Sequence, residues 1–172
     1  TATNKTLKND IKEIDDNDID TDTVASYLDL FNRLFLLDNQ EPFSAHVRSS
    51  VRVKQAEKRH FSDPSLACAL LKVTPAHLIN DLNTFGFLFE ALCERDMKIY
   101  AESFGGKLYH YQDYAGKEID AVVELPDSRW SAFEIKLGAN QIESAARELV
   151  ALSDAIAKEK DGIPPSVLCV IC

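Results

Sequence analysis

The order of secondary structure in the second half of the chain constrains its fold more than any other feature. Apolar periodicity predicts one long helix over 83–104, and Gly105 and Gly106 end it. The elements expected next are strands over 107–112, 118–125 and 129–137, a helix over 141–158 and an apolar strand over 166–172. This order, α-β-β-β-α-β, predicts an α/β domain.

The first third of the chain predicts a separate small helical unit. The expected elements are helices over 6–14 and 21–36 and short strands at 36–37, 51–53 and 59–61. Two helices followed by a small hairpin outline a winged helix-turn-helix that lacks an upstream helix. We therefore expect an incomplete winged-helix-like unit over 1–62. The α/β domain then covers 63–172 and opens with two helices that start at Pro64 and Pro75.

Composition excludes several classes of protein. Hydrophobic residues make up 45% of the chain and charged residues 27%, which is incompatible with intrinsic disorder. No segment approaches the roughly 18 consecutive apolar residues that a membrane span needs, and the first residues lack the apolar stretch of a signal peptide. We therefore expect a cytoplasmic protein with no membrane partner, whose four cysteines are reduced.

The formal charge of −9 repels phosphate backbones unless basic residues are concentrated locally. One such concentration lies at 46–60, where five basic residues accompany a single acid. These are Arg48, Arg52, Lys54, Lys58 and Arg59. The segment predicts a contact with nucleic acid, DNA in the first place, and the alternative is a solvated hairpin whose long stems cover apolar surface. Gln141, at the start of a predicted helix, is a further candidate for contacting nucleic acid or for capping that helix.

Acidic and basic side chains also coincide on two neighbouring predicted strands. If the intervening turn is centred between Asp127 and Ser128, Asp120 lies opposite the segment from Glu134 to Lys136. Strand alternation places these three charged side chains on one face. The other face, the predicted core, then carries Ala121, Val123, Leu125, Phe133, Ile135 and Leu137.

Two neighbouring carboxylates remain ionised together most readily when a cation lies between them, and oxygen ligands suit Mg²⁺ or Mn²⁺. Glu90, a lone acid among apolar helix residues, is a candidate third ligand. Lys136 could orient a water against a phosphorus centre, which is the arrangement for phosphodiester hydrolysis. The alternatives are a surface ion pair on the strands and a Glu90 at the wet edge of its helix beside Glu94.

Asp120, Glu134 and Lys136, following a helix that bears Glu90, resemble the motif of the PD-(D/E)XK nuclease superfamily. Its restriction-endonuclease-like core has the same α-β-β-β-α-β order, although Ile119 stands where the motif name has proline. The chain also resembles the C-terminal region of bacterial and archaeal AAA-type ATPases catalogued as domain of unknown function 4143. The stretches that carry this second resemblance are 58–67, 81–90, 109–113 and 133–138.

The resemblance implies a role for each motif residue. Asp120 and Glu134 would be metal ligands and, with Lys136, catalytic residues. Glu90 and the carbonyl of Ile135 would complete a site for Mg²⁺ or Mn²⁺.

The resemblance further implies a fragment whose ATPase domain precedes it in the same polypeptide. No G-x-x-x-x-G-K-[ST] occurs here, since Gly106-Lys107 is followed by leucine and Gly116-Lys117 by glutamate, so ATP hydrolysis is not assigned to this chain. The function expected is Mg²⁺-dependent cleavage of nucleic-acid phosphodiesters. The alternative is a catalytically silent module that binds nucleic acid or protein and regulates the ATPase.

Overall fold

The computed structural model describes residues 2–16, 18–43, 57–112, 116–158 and 162–172. The helices are α1 (Asn4–Asp15), α2 (Thr21–Arg33), α3 (Pro64–Leu71), α4 (Pro75–Asn80), α5 (Leu82–Ser103) and α6 (Ile142–Lys158). The strands are β1 (Leu37–Gln40), β2 (Lys58–Phe61), β3 (Lys107–Gln112), β4 (Glu118–Glu124), β5 (Trp130–Ile135) and β6 (Val167–Ile171). The chain is therefore a mixed α/β protein, and α5 to β6 follow the predicted element order.

Local chemistry fixes both ends of the long helix α5. Asp81 caps its start, because the carboxylate accepts hydrogen bonds from the backbone N–H and the hydroxyl of Thr84. After the helix, Gly105 has φ +78°, a conformation that disfavours other residues. At Gly106 a Cβ would lie 3.1 Å from the carbonyl oxygen of Glu124, so β4 approaches the turn closely. The predicted glycine stop is confirmed.

Four strands form the main sheet in the order β3-β4-β5-β6. The first two pairings are antiparallel, and β5 pairs with β6 in parallel. Ala121 pairs with Phe133 and Glu124 with Trp130, so the β4–β5 register centres on Asp127 rather than between Asp127 and Ser128. The reason is a three-residue loop whose last member, Ser128, has φ 65°.

The sheet is buried on both faces, so the prediction of a single core face is wrong. Ala121 and Val122 are consecutive, point to opposite faces and are both 0% exposed. Helix α5 packs on β3 and β4, and α6 packs on β5 and β6. The principal core cluster consists of Phe43, Tyr109, Ile119, Val122, Trp130, Ala132, Leu149, Leu152 and Ile156. Because helices cover both faces, consecutive residues of the central strand β4 are buried on opposite sides.

The N-terminal part contains the expected two helices and an antiparallel β1–β2 pair. Helix α2 ends at Arg33 rather than at 36, and β1 then runs to Gln40, further than the predicted strand at 36–37. The predicted strand at 51–53 lies outside the described residues. Winged-helix character and the boundary at 62 stay predictions.

The segment after β1 joins the N-terminal part to the main sheet. The N–H of Phe43 donates to the carbonyl of His110, and the side-chain amide of Gln40 donates to the carbonyl of Tyr109. The ring of Phe43 lies 4.7 Å from that of Trp130 and is 1% exposed. The two parts of the chain therefore share one core.

No helix in the described ranges is both long and apolar enough to cross a membrane.

Replacement of Phe43 by alanine should lower the free energy of unfolding by about 3–5 kcal/mol, because it leaves a cavity against Trp130. Phe87, which is 74% exposed, is the matched control, and Phe87→Ala should change that free energy by no more than about 0.5 kcal/mol. Urea unfolding followed by the fluorescence of the single tryptophan measures both. Equal losses in the two variants would contradict the shared core.

Candidate functional site

A β-bulge places Asp120 at the end of the β4–β5 pairing. Tyr109 pairs with Val122 and Tyr111 pairs with Ile119, so two residues of β4 face a single residue of β3 between these pairs. Those two residues are Asp120 and Ala121. Bulges bend a strand and redirect its side chains, and they occur often beside functional sites.

The structure brings the three predicted strand residues together. The ammonium Nζ of Lys136 lies 2.6 Å from Oε1 of Glu134 and 3.7 Å from Oδ2 of Asp120. The same Oδ2 accepts a 2.7 Å hydrogen bond from the backbone N–H of Ile135. One ammonium and one backbone amide therefore hold the two carboxylates at a single place.

This group is largely withdrawn from water. Glu134 is 8% exposed, and burial, followed by the nearby charge of Asp120, raises the pKa of Glu134. Burial alone would lower the pKa of Lys136, but its hydrogen bond with Glu134 and the charge of Asp120 raise it. Lys136 therefore stays charged and compensates the buried acids.

Glu90 lies in a second ion cluster rather than on Lys136. Its Oε1 lies 2.5 Å from Nζ of Lys58, and that ammonium also lies 2.9 Å from Oε1 of Glu94. The second carboxylate oxygen of Glu94 lies 2.6 Å from Nε2 of His60. The Glu94 side chain is 3% exposed and that of Glu90 is 23% exposed, so neither acid lies at a solvent-exposed helix edge.

Electrostatic coupling connects the two clusters through Glu90. Burial raises the pKa of Glu90 and Lys58 opposes that rise, while the charge of Asp120 adds to it. Burial alone would lower the pKa of Lys58, but the two flanking glutamates raise it instead. The pKa of Glu90 is therefore affected by the charge of Asp120 on β4 as well as by Lys58 of β2.

The remaining predicted residues make other contacts within the protein or lie outside the described ranges. Arg59 donates to the carbonyl of Ala2 and to the side chain of Asn4. Gln141 belongs to a short 3₁₀ turn, and its carbonyl accepts from the hydroxyl of Ser144 at the start of α6. Arg48, Arg52 and Lys54 lie outside the described residues.

Sequence reasoning did not assign Glu94 or His60 to the site. Two signals point to them in retrospect. Glu90 and Glu94 are four residues apart and share one helix face, and Lys58 and His60 are two apart and share one strand face. Neither signal indicates that β2 packs near α5, so the cluster can be recognised only from the tertiary structure.

The donor chemistry suits a hard divalent cation, although three ligands do not converge. In the described ranges, no group of three His, Cys, Asp or Glu residues could hold a metal ion. Two ammonium groups instead contact the acids that would bind one. When all are ionised, the four carboxylates of the two clusters exceed these ammonium groups by two negative charges. Carboxylate oxygens in this excess match what Mg²⁺ and Mn²⁺ bind.

Glu134→Gln should stabilise the protein at pH 7. The folded pKa of Glu134 lies above its ordinary value of 4.5, so folding stability falls as the pH rises from 4.5 through the folded pKa. Glutamine removes this loss and still accepts the hydrogen bond from Lys136. The gain in free energy of unfolding should be present at pH 7 and vanish below pH 4.5.

The control is Glu143→Gln on α6, whose side chain is 89% exposed and which should show no such pH-dependent gain. Urea unfolding of the three proteins at several pH values measures the difference. A Glu134→Gln protein that is less stable than the parent at pH 7 would show that the carboxylate stabilises the fold.

Comparisons with known proteins agree with one resemblance seen in the sequence. A family model described as Domain of unknown function (DUF4143) matches residues 85–170, from α5 into β6, and includes both acid-bearing strands. A second model, Domain of unknown function (DUF8612), matches residues 2–77. No curated protein and no solved structure matches the chain.

Proposed function

We propose, from the premise that the chain belongs to the family described as Domain of unknown function (DUF4143), that it hydrolyses nucleic-acid phosphodiesters with the help of a divalent cation. The site of this activity would be Asp120, Glu134 and Lys136. The proposal extends to membership of the PD-(D/E)XK nuclease superfamily, whose motif Asp120, Glu134 and Lys136 resemble.

One observation carries the proposal. The Lys136 ammonium lies against Asp120 and Glu134, which come from neighbouring strands of a mostly buried sheet. Burying charges costs free energy that apolar residues at the same positions would avoid. A group of this kind at the end of a strand pair, beside a bulge, is typical of a functional site rather than of a stabilising device.

Each residue has a role in this proposal. Asp120, Glu134 and the carbonyl of Ile135 would hold Mg²⁺ or Mn²⁺, whereas Glu90 pairs with Lys58 in the neighbouring cluster. When bound, the cation would supply charge neutralisation on the phosphate. Lys136 would orient a water towards the phosphorus and stabilise developing negative charge through its ammonium. The N–H of Ile135 fixes the rotamer of Asp120.

The wider protein context belongs to the same proposal. We infer that this chain is the C-terminal part of an AAA-type ATPase and that the site acts in its service on DNA. The P-loop sequence is absent from these 172 residues, so hydrolysis of ATP would be the work of another part of that protein.

A second function is favoured by the ion pairs themselves. Lys136 and Lys58 already contact the acids, so the network is held together without a metal ion. This arrangement suits a catalytically silent module that binds nucleic acid or protein and regulates the ATPase. Such a module tolerates Asp120→Asn, whereas the enzyme does not.

The test is cleavage of plasmid and single-stranded DNA with Mn²⁺. Lys136→Ala should lower the rate by about 10²-fold or more, because one positioned charge in a dry site has an effect of that size. Lys158→Ala, at the exposed end of α6, is the matched lysine control and should cleave like the parent. Removal of the cation with a chelator should abolish cleavage in both.

Equal cleavage by the parent and Lys136→Ala would reject this site. Absence of cleavage from the parent, together with DNA binding that weakens steeply with salt, would favour the regulatory module.

A further inference from the structure

The two edges of the main sheet differ in how the chain covers them. On the outer side of β3, the N–H of Phe43 donates to the carbonyl of His110, and the N–H of His110 donates to the carbonyl of Glu41. The segment after β1 therefore occupies that edge. Among the residues that the structure describes, β6 pairs with β5 alone, so the other side of β6 is an open edge.

The β6 edge lacks the features that usually prevent exposed strands from associating. In most proteins, charged side chains, proline or β-bulges interrupt such edges. Residues 162–172 contain no charged side chain, and β6 itself contains no proline. Its pairing with β5 runs from Val167 to Ile171 without a register shift, so the strand has no bulge. An apolar edge of this kind is suited to pairing with a further strand.

The backbone of β6 presents hydrogen-bonding groups at the open edge. The carbonyl of Ile171 accepts from the N–H of Lys136, which follows β5. Alternate residues of a strand direct their backbone groups to the same neighbour, so the N–H and C=O groups of Leu168 and Val170 point away from β5. The side chains of these two residues pack against the core cluster, which holds their backbone in place.

Charge favours a second copy of the chain as the occupant of this edge. The net charge of −9 makes two copies repel each other over most of their surface. The neutral β6 edge allows them to meet without opposed acids. A two-fold contact uses the same surface of both copies, and antiparallel pairing of β6 with itself leaves neither edge open. Val167, which is 52% exposed, would lose contact with water.

We propose that β6 pairs in antiparallel orientation with β6 of a second copy of this chain, about a two-fold axis between the two Cys169 residues. This register pairs the whole of Val167–Ile171, whereas registers centred on other residues pair fewer. Leu168 then exchanges hydrogen bonds with Val170 of the second copy, and Cys169 faces Cys169 of the second copy in a non-hydrogen-bonded pair. The two four-stranded sheets become one continuous sheet.

The register predicts which cysteine forms a disulfide between copies. Residues opposed in a non-hydrogen-bonded pair have Cα atoms about 4.5 Å apart, which is within the range for a disulfide. A full-length variant that keeps Cys169 alone, with its other cysteines replaced by serine, should form a covalent dimer under a mild oxidant. The matched control keeps Cys172 alone, because the two Cys172 residues would lie about 20 Å apart along the strands. Equal amounts of covalent dimer in both variants would overturn the register.

Light scattering under reducing conditions measures the dimer without a covalent link. The parent chain should reach twice its mass of 19.2 kDa at high concentration. Cys169→Lys and Cys169→Glu should each weaken dimerisation by about tenfold or more, because like charges would then lie opposite each other. An equimolar mixture of these two variants should recover most of the affinity. Cys169→Val, which stays neutral, should dimerise like the parent.

Each remaining outcome overturns the proposal in a different way. A parent chain that stays monomeric up to about 1 mM would leave the edge to a strand of another protein. Equally tight dimers of the parent and Cys169→Lys would place the contact on another surface. A mixture of the lysine and glutamate variants that stays monomeric would show that charge repulsion between opposed residues did not separate the copies.

Discussion

The candidate site depends on one electrostatic constraint, which is the placement of two carboxylates from adjacent strands in a largely dry environment. Asp120 and Glu134 repel each other, and their burial raises the cost of that repulsion. Lys136 compensates them through a hydrogen bond of 2.6 Å to Glu134, and the backbone N–H of Ile135 fixes the other acid. These charged groups lie together because Asp120 and Glu134 stand near the ends of paired strands and beside the bulge in β4. The helices that pack on the sheet keep the groups away from water.

Two kinds of positive charge can neutralise the carboxylates of the network. The ammonium groups of Lys58 and Lys136 contact them in the structure. A bound divalent cation would neutralise part of the same negative charge. A divalent cation could bind these acids without rearrangement of the core, because the buried apolar residues lie along the strands and the charges lie at their ends. Glu90 of α5 pairs with Lys58 and so connects α5 to the N-terminal strands.

The sequence predicts the element order and the local grouping of Asp120, Glu134 and Lys136, because both follow from periodicity and short-range pairing. The predicted turn centre is off by half a residue, which shifts each strand partner by one residue. The reason is that Ser128 has φ 65° and the loop contains three residues instead of an even number. The prediction of a single core face is also wrong. Alternation of apolar and polar residues along one strand does not reveal that a helix covers its polar side. The pairing of Lys58 with Glu90 joins residues 32 apart, and nothing local encodes such a contact.

Anomalous diffraction from crystals grown with Mn²⁺ tests the central claim most directly, because it locates the cation independently of any activity. The account predicts a peak bound by Asp120 and Glu134, with the Lys136 ammonium moved off at least one of these carboxylates. Crystals saturated with Mn²⁺ that show no peak there and keep Lys136 in contact with both acids would contradict it.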